Sequence, residues 1–130
     1  MKFTIPRNKW RNSHHGKGTT LLLNREGYQC CLGFCAEQLG IEHKTLLNKS
    51  NPYSLIAWCN YFDTNRIFVT GVTVDAKQGF SMEAHTPLTN RAITINDSDT
   101  YDLQLKEQLL TKLFEEHGHE LEFVGEYEVD

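Results

Sequence analysis

The chain has 130 residues with 39% hydrophobic side chains, enough for one hydrophobic core, and we predict a single domain spanning residues 1–130. Its apolar runs are only a few residues long, which excludes a transmembrane helix of roughly 20 apolar residues, so we expect no membrane association. The net charge of −4 gives no strong signal for nucleic-acid binding.

The spacing of apolar and turn-forming residues predicts an α+β fold. Strands are predicted over residues 3–5, 19–24, 66–75, 80–84, 91–95 and 121–127. Helices are predicted over residues 31–39 and 101–117, with short helical turns near 44–48 and 53–61. We expect the two main helices to pack on a small mixed or antiparallel sheet of about four to six strands.

The two main helices carry the clearest local signals. Gly40 follows the first helix and suits the left-handed residue that often ends a helix. Asp99 or Thr100 is predicted to cap the second helix, and Gly118 is predicted to end it. The apolar stripe of this second helix is predicted to consist of Leu105, Leu109, Leu110, Leu113 and Phe114.

Four cysteines bear on the cellular compartment and on metal binding: Cys30, Cys31, Cys35 and Cys59. Three of them lie within six residues, which is a poor disulfide framework, and the N-terminal residues are too polar for a signal peptide. We therefore expect free thiols and a cytoplasmic protein. Because the sequence contains no Cys-x-x-Cys pair, we predict no metal site, and we predict no cofactor.

A basic, glycine-interrupted segment near the N-terminus is the predicted ligand site. Residues 1–18 contain five basic side chains and no acid, whereas residues 97–130 contain eleven acids and two lysines, a local charge of −9. Residues 14–20 (His-His-Gly-Lys-Gly-Thr-Thr) could cradle a phosphate with backbone N–H groups, although they do not form a Walker A motif. The candidate ligand-binding residues are Arg7, Lys9, Trp10, Arg11, His14, His15, Lys17 and Thr19.

The same charge asymmetry has a simpler interpretation. A basic N-terminal segment and an acidic C-terminal segment attract each other, either within one chain or between the subunits of a homo-oligomer. The glycine-containing loop would then be an ordinary solvated loop.

Four segments together give the chain a resemblance to a known group. They are Trp10, Tyr-Gln-Cys-Cys-Leu-Gly-Phe at 28–34, Ile-Asn-Asp at 95–97 and Leu-Phe-Glu-Glu-His-Gly-His-Glu-Leu-Glu-Phe-Val at 113–124. This combination resembles small hypothetical proteins that are common in phages and prophages. The resemblance implies a phage-encoded accessory protein in the host cytoplasm and little about its chemistry. Small accessory proteins of phages often act against host defence, so we expect this one to bind a signalling nucleotide or a host defence protein.

Residues 28–34 also resemble the nucleophile helix of NlpC-type cysteine peptidases, which typically begins with Asp-Cys-Ser-Gly-Phe. Here Gln29 replaces the aspartate and Leu32 replaces the serine. The residues that such a hydrolase would use are Cys30 or Cys31 as nucleophile, His85 as base and Asn96 or Asp97 as the group that orients it. The alternative is that two small buried cysteines pack a helix onto the sheet.

The sequence therefore supports three functions in order of preference. The first is a non-enzymatic accessory protein that binds a phosphate-bearing small molecule or a host defence protein. The second is a cysteine hydrolase, and the third is a structural or assembly protein that acts through oligomerisation.

Overall fold

The computed structural model of the chain describes residues 1–52, 67–68, 72–75, 79–82 and 86–128. Its elements are β1 (Lys2–Pro6), a 3-10 turn (Arg7–Lys9), α1 (Cys31–Gln38), α2 (His43–Leu46), β2 (Val72–Asp75), β3 (Gly79–Met82), α3 (Pro87–Asp97), α4 (Leu103–Glu116) and β4 (Glu120–Val124). This mixture of helices and short strands confirms the α+β class. No helix among the described segments is long and apolar enough to cross a membrane.

The described strands form two separate pairs. β1 and β4 run parallel, with the buried Phe3 opposite the buried Leu121. β2 and β3 form an antiparallel pair. The strands are therefore not joined, in the described residues, into the single mixed or antiparallel sheet that the sequence predicts. The pair that connects the two ends of the chain is parallel because α4 carries the chain back before β4 begins, as parallel pairing requires.

The hydrophobic core lies between the β1–β4 pair and the longer helices. The ring centroid of Phe3 lies 5.8 Å from that of Phe68 and 6.0 Å from that of Phe114. Leu110 and Leu113 are buried on the same face of α4 as Phe114. These apolar contacts connect the first strand to the last helix, so the core depends on residues far apart in the sequence.

Helix α1 packs with its backbone directly against the segment that precedes it. A Cβ atom at Gly33 would lie 1.9 Å from the carbonyl oxygen of Leu22, so no side chain fits there. Every residue from Cys31 to Ala36 is buried. The helix ends before Gly40 as predicted, and the φ of +102° at this glycine is a conformation that L side chains rarely adopt.

The predicted strand at 91–95 is wrong, because these residues belong to α3. Thr86 caps this helix by accepting a hydrogen bond from the Thr89 backbone N–H at 3.3 Å, and Pro87 occupies its first turn. The buried face of α3 is Leu88, Thr89, Ala92, Ile95 and Asn96, which recur at helical spacing. The β-branched residues in the middle of the helix favour a strand locally. The cap at Thr86 and the buried residues that recur every three to four positions favour the helix instead.

The predicted strand at 19–24 is also wrong. Leu22 and Leu23 are buried as expected, but the segment is irregular and its pairing with Leu47 is an isolated bridge rather than a strand ladder. Of the strand predicted at 66–75, residues 72–75 form a strand, whereas residues 67–68 lie in a bend. The strand at 79–82 agrees with the prediction for 80–84. The helical turn predicted at 53–61 lies outside the described residues.

Helix α4 begins later and faces the core differently than predicted. Asp102, rather than Asp99 or Thr100, is the cap, since its Oδ1 accepts from the Leu105 backbone N–H at 2.8 Å. Leu105 is 38% exposed, whereas Lys106 is fully buried. A charged residue thus occupies a position on the core face of this helix.

Candidate functional site

A buried polar network joins the N-terminal segment to helices α1 and α3. At its centre, Asn96 Oδ1 accepts hydrogen bonds from Trp10 Nε1 at 2.7 Å and from the Cys31 backbone N–H at 3.1 Å. Asn96 Nδ2 donates to the Arg11 carbonyl oxygen at 3.1 Å and to Asp97 Oδ1 at 2.8 Å. All four hydrogen-bonding positions of the amide are therefore used.

Lys106 extends this network from α4. Its Nζ donates to Ser13 Oγ at 2.7 Å and to the Asn96 carbonyl oxygen at 2.8 Å, and Ser13 Oγ donates to the Ser98 carbonyl oxygen at 2.5 Å. Both carbonyls lie at the C-terminal end of α3, where the helix dipole favours a positive charge. Burial lowers the pKa of Lys106, and the carboxylate of Asp97 acts in the opposite direction. We call Trp10, Ser13, Asn96 and Lys106 the Asn96 hub.

The sequence analysis missed the role of Lys106 and counted it only as a charge. A signal was present in the helical period, since Lys106 lies four residues before Leu110 and seven before Leu113. This spacing places the lysine on the same face as the buried leucines. A charge within an apolar stripe indicates a buried polar partner, which here is Ser13 together with the end of α3.

The loop that follows Trp10 folds around an open cavity of about 360 Å³, which we call the basic-loop cavity. Its wall consists mainly of Arg11, Ser13, His14, His15, Lys17, Tyr28 and Glu128. Arg11 Nε donates to the Gly18 carbonyl oxygen at 2.7 Å and Nη1 donates to that of His15 at 3.2 Å. The Arg11 guanidinium thus closes the loop on itself. Gly16 and Gly18 have positive φ angles, which allow the tight reversal.

His15, which lines the cavity, carries an unsatisfied polar atom. Its Nε2 is buried and has no hydrogen-bond partner among the described residues, as is also true of Asn12 Nδ2 and Gln29 Nε2 elsewhere. The imidazole ring packs edge-on against Tyr127 with a centroid distance of 4.9 Å. A buried polar atom without a partner is unfavourable, so a rearrangement of the imidazole ring that gave His15 Nε2 a partner would be stabilising.

Four of the predicted ligand-binding residues therefore meet at one cavity: Arg11, His14, His15 and Lys17. Arg7 does not join them. Its Nε and Nη2 donate to Glu107 Oε2 at 3.0 Å and Oε1 at 2.8 Å, and its Nη1 donates to the Gly125 carbonyl oxygen at 2.8 Å. Lys2 and Glu122 form a second ion pair at 2.8 Å. The attraction between the basic and acidic ends thus operates within one chain.

The other predicted residues also lie outside the cavity wall. Trp10 is fully buried, with its ring centroid 4.9 Å from that of Phe123, and it offers no exposed face on which a ligand could stack. This burial corrects the role predicted for Trp10. Lys9 Nζ lies 4.8 Å from the ring centroid of Tyr28, and Thr19 is exposed with its carbonyl oxygen accepting from Asn24 Nδ2.

The surroundings of the predicted nucleophiles do not favour a reactive thiol. Burial raises the pKa of Cys30 to about 12 and also raises the pKa of Cys31, whereas reactive cysteines have lowered pKa values. The adjacent cavity, which Asp97 also lines, is small, with a volume of about 30 Å³. The predicted base, His85, lies outside the described residues, as does Cys59.

Comparison with known proteins adds no further constraint on the site. The chain has no significant match to a family model, a curated protein or a solved structure. Within the part of the chain that the structure describes, no three His, Cys, Asp or Glu side chains come together in a way that could hold a metal ion. We therefore infer the function from the geometry of the basic-loop cavity.

Proposed function

We propose that this chain is a non-enzymatic binding protein that holds a phosphate-bearing small molecule in the basic-loop cavity. The observation that supports the proposal is that Arg11, His14, His15 and Lys17 surround one cavity of about 360 Å³. A volume of this size is within the usual range for small-molecule sites. Combined with the resemblance to phage proteins, the proposal extends to an accessory protein in the host cytoplasm that sequesters a signalling nucleotide of host defence.

The chemistry of the wall favours a ligand rich in anionic oxygens. The guanidinium of Arg11 and the ammonium of Lys17 supply cationic N–H donors, and the imidazoles of His14 and His15 add further N–H donors. Phosphate oxygens accept several such hydrogen bonds at once, and charge-assisted bonds of this kind are about twice as strong as neutral ones.

The structure supports the two alternative functions less well. A cysteine hydrolase needs a reactive thiol beside a substrate cavity, but Cys30 and Cys31 are buried next to a space of about 30 Å³. Assembly through oppositely charged ends would need free charges. Arg7 and Lys2 instead form ion pairs within the chain.

The proposal is tested by titrating the protein with inorganic pyrophosphate, cyclic dinucleotides and ADP-ribose, with binding followed by calorimetry and thermal shift. A ligand at about 100 times its Kd should stabilise the folded state by about 2.7 kcal/mol. Lys17→Glu should abolish this stabilisation, whereas Arg25→Glu makes the same charge change on an exposed turn away from the cavity and should not.

Absence of binding by all of these ligands would contradict the proposal. Equal weakening by Lys17→Glu and Arg25→Glu would also contradict it, because the interaction would then depend on overall charge and not on the cavity. If the small molecules fail but a host defence protein binds and protects the loop from proteolysis, the partner is that protein.

A further inference from the structure

The residues that follow β4 cross the Asn96 hub and reach the basic-loop cavity. The Tyr127 ring stacks on Trp10 with a centroid distance of 6.4 Å and an interplanar angle of 30°. The Tyr127 hydroxyl donates to Glu107 Oε2 at 2.5 Å, and Arg7 Nη1 holds the carbonyl oxygen of Gly125 at 2.8 Å. The contacts of Gly125 and Tyr127 thus hold the chain just before Glu128 and direct this residue toward the cavity.

Glu128 places a carboxylate in the wall of a cavity that is otherwise basic. Its Oε2 accepts a hydrogen bond from the Tyr28 hydroxyl. This bond lowers the pKa of Glu128, and the positive charges of Lys9 and Lys17 lower it further. The surroundings therefore stabilise a negative charge at this position, and the chain itself supplies that charge.

We propose that the Glu128 carboxylate occupies the anion subsite of the basic-loop cavity and that a phosphate-bearing ligand binds by displacing it. This inference rests on the proposed function and identifies two further residues of the site. Tyr28 donates to Glu128 in the free protein and to a phosphate oxygen in the complex. Glu128 is an internal competitor that the ligand must replace.

The competition selects among anions. A side chain tethered beside its site acts at an effective concentration on the order of millimolar, so an anion that binds no better than a carboxylate displaces it poorly. A phosphate group carries more negative charge than a carboxylate and three strong acceptor oxygens. Phosphates therefore exchange with Glu128 more readily than simple carboxylates such as acetate.

The test compares the affinity for inorganic pyrophosphate in Glu128→Gln and in the matched control Glu126→Gln, measured by calorimetry at low ionic strength. Glu126 is exposed in the same segment and is not part of the cavity wall, so both variants remove one negative charge near the C-terminus. Removal of the competitor should tighten binding about three- to tenfold in Glu128→Gln, and Glu126→Gln should stay within about twofold of the wild type.

Tyr28 provides a second arm of the experiment. Tyr28→Phe keeps the buried ring and removes only the hydroxyl, so folding is expected to be retained and is verified by circular dichroism. In the Glu128→Gln background this change should weaken pyrophosphate binding about tenfold, since it removes a hydrogen bond to a charged group. In the wild-type background the effect should be smaller, because the same hydroxyl also holds the competitor.

The outcomes separate this inference from the proposed function. If pyrophosphate binds to the wild type and Glu128→Gln binds it no more tightly than Glu126→Gln does, Glu128 is not a competitor, and the binding function still stands. If Tyr28→Phe has no effect in the Glu128→Gln background, Tyr28 does not contact the phosphate. If neither the wild type nor Glu128→Gln binds pyrophosphate or the nucleotides, both the function and this inference are overturned.

Discussion

The Asn96 hub and the basic-loop cavity share Ser13 and are adjacent in space, but their polar groups differ in how fully they are hydrogen-bonded. In the hub, the Asn96 amide uses all of its hydrogen-bonding positions, and Trp10 Nε1 is paired. In the cavity, His15 Nε2 has no partner among the described residues. A satisfied buried network holds one conformation, whereas a buried atom without a partner has no hydrogen bond that fixes its position. The hub therefore positions the loop, and the loop carries the chemistry.

The largest expected effect concerns the thiols beside the hub. With the pKa of Cys30 raised to about 12 from 9.0, its thiolate should be about a thousandfold rarer near neutral pH than that of an ordinary cysteine. We expect no carboxamidomethylation of Cys30 or Cys31 by iodoacetamide in the native protein, and full labelling in urea, when the peptides are analysed by mass spectrometry. Rapid labelling of either thiol under native conditions would contradict this picture and favour the hydrolase.

Gly33→Ala should destabilise the protein by more than about 3 kcal/mol, because the added Cβ meets the Leu22 carbonyl oxygen at 1.9 Å. Helix propensity alone predicts that this substitution stabilises the protein by about 1 kcal/mol. Urea denaturation of the wild type and of Gly33→Ala measures the difference between their free energies of unfolding. An unchanged or higher midpoint would show that helix α1 does not pack against residue 22 in this way.

Asn96→Ala should lower the free energy of unfolding by about 3 kcal/mol, because it leaves Trp10 Nε1 and the Cys31 backbone N–H unpaired in the core. Asn90→Ala is the control, since Asn90 is exposed on the same helix and should change stability by less than about 0.5 kcal/mol. Similar losses in the two variants would mean that the hub does not stabilise the fold.

Lys106→Met tests the charge in the hub through its pH dependence. The pKa of Lys106 is lower in the folded protein than the ordinary 10.5, so the folded state binds fewer protons than the unfolded state between these two values. The unfavourable burial of the charge is present at neutral pH and is relieved as the pH rises toward 10.5. The stability of the wild type relative to Lys106→Met should therefore increase from pH 7 to pH 10.

A matched control isolates this effect. Lys112 is exposed on the same helix, so the wild type and Lys112→Met should show no such change in relative stability over the same pH range. If the wild type instead loses stability relative to Lys106→Met as the pH rises, the pKa of Lys106 is not lowered in the folded protein. The titration of Tyr127, whose pKa is raised mainly by burial, is common to all three proteins and cancels.

The smallest expected effect on stability is in the basic-loop cavity. Lys17 is exposed in its wall, so Lys17→Glu should change the free energy of unfolding by less than about 0.5 kcal/mol. Thermal denaturation of the wild type and of Lys17→Glu, both without ligand, measures the change in stability. A loss as large as that of Asn96→Ala would mean that the loop belongs to the structural core, and the contrast between the two regions would disappear.

Local signals predicted a good part of the fold and of the candidate site. The helices at 31–39 and 101–117 follow from apolar spacing and from Gly40 and Gly118, which act through neighbouring residues only. The cluster of basic residues from Arg11 to Lys17 is contiguous, so one loop was enough to bring its members together. The run at 91–95 was misread because its β-branched residues favour a strand locally, while Thr86 and the buried face of the helix outweigh that preference.

The amino-acid sequence by itself determined the α+β class, the two glycine-terminated helices and the position of the basic loop. Tertiary structure decided the parallel pairing of β1 with β4, the burial of Trp10 and Lys106, and the approach of Glu128 to Tyr28. Each of these depends on groups far apart in the chain, such as Trp10 and Asn96, which are 86 positions apart. The sequence alone therefore sets the charges of the basic loop. The burial of His15 Nε2, which has no partner among the described residues, and the presence of the Glu128 carboxylate in the cavity wall depend on distant residues that the folded chain brings together.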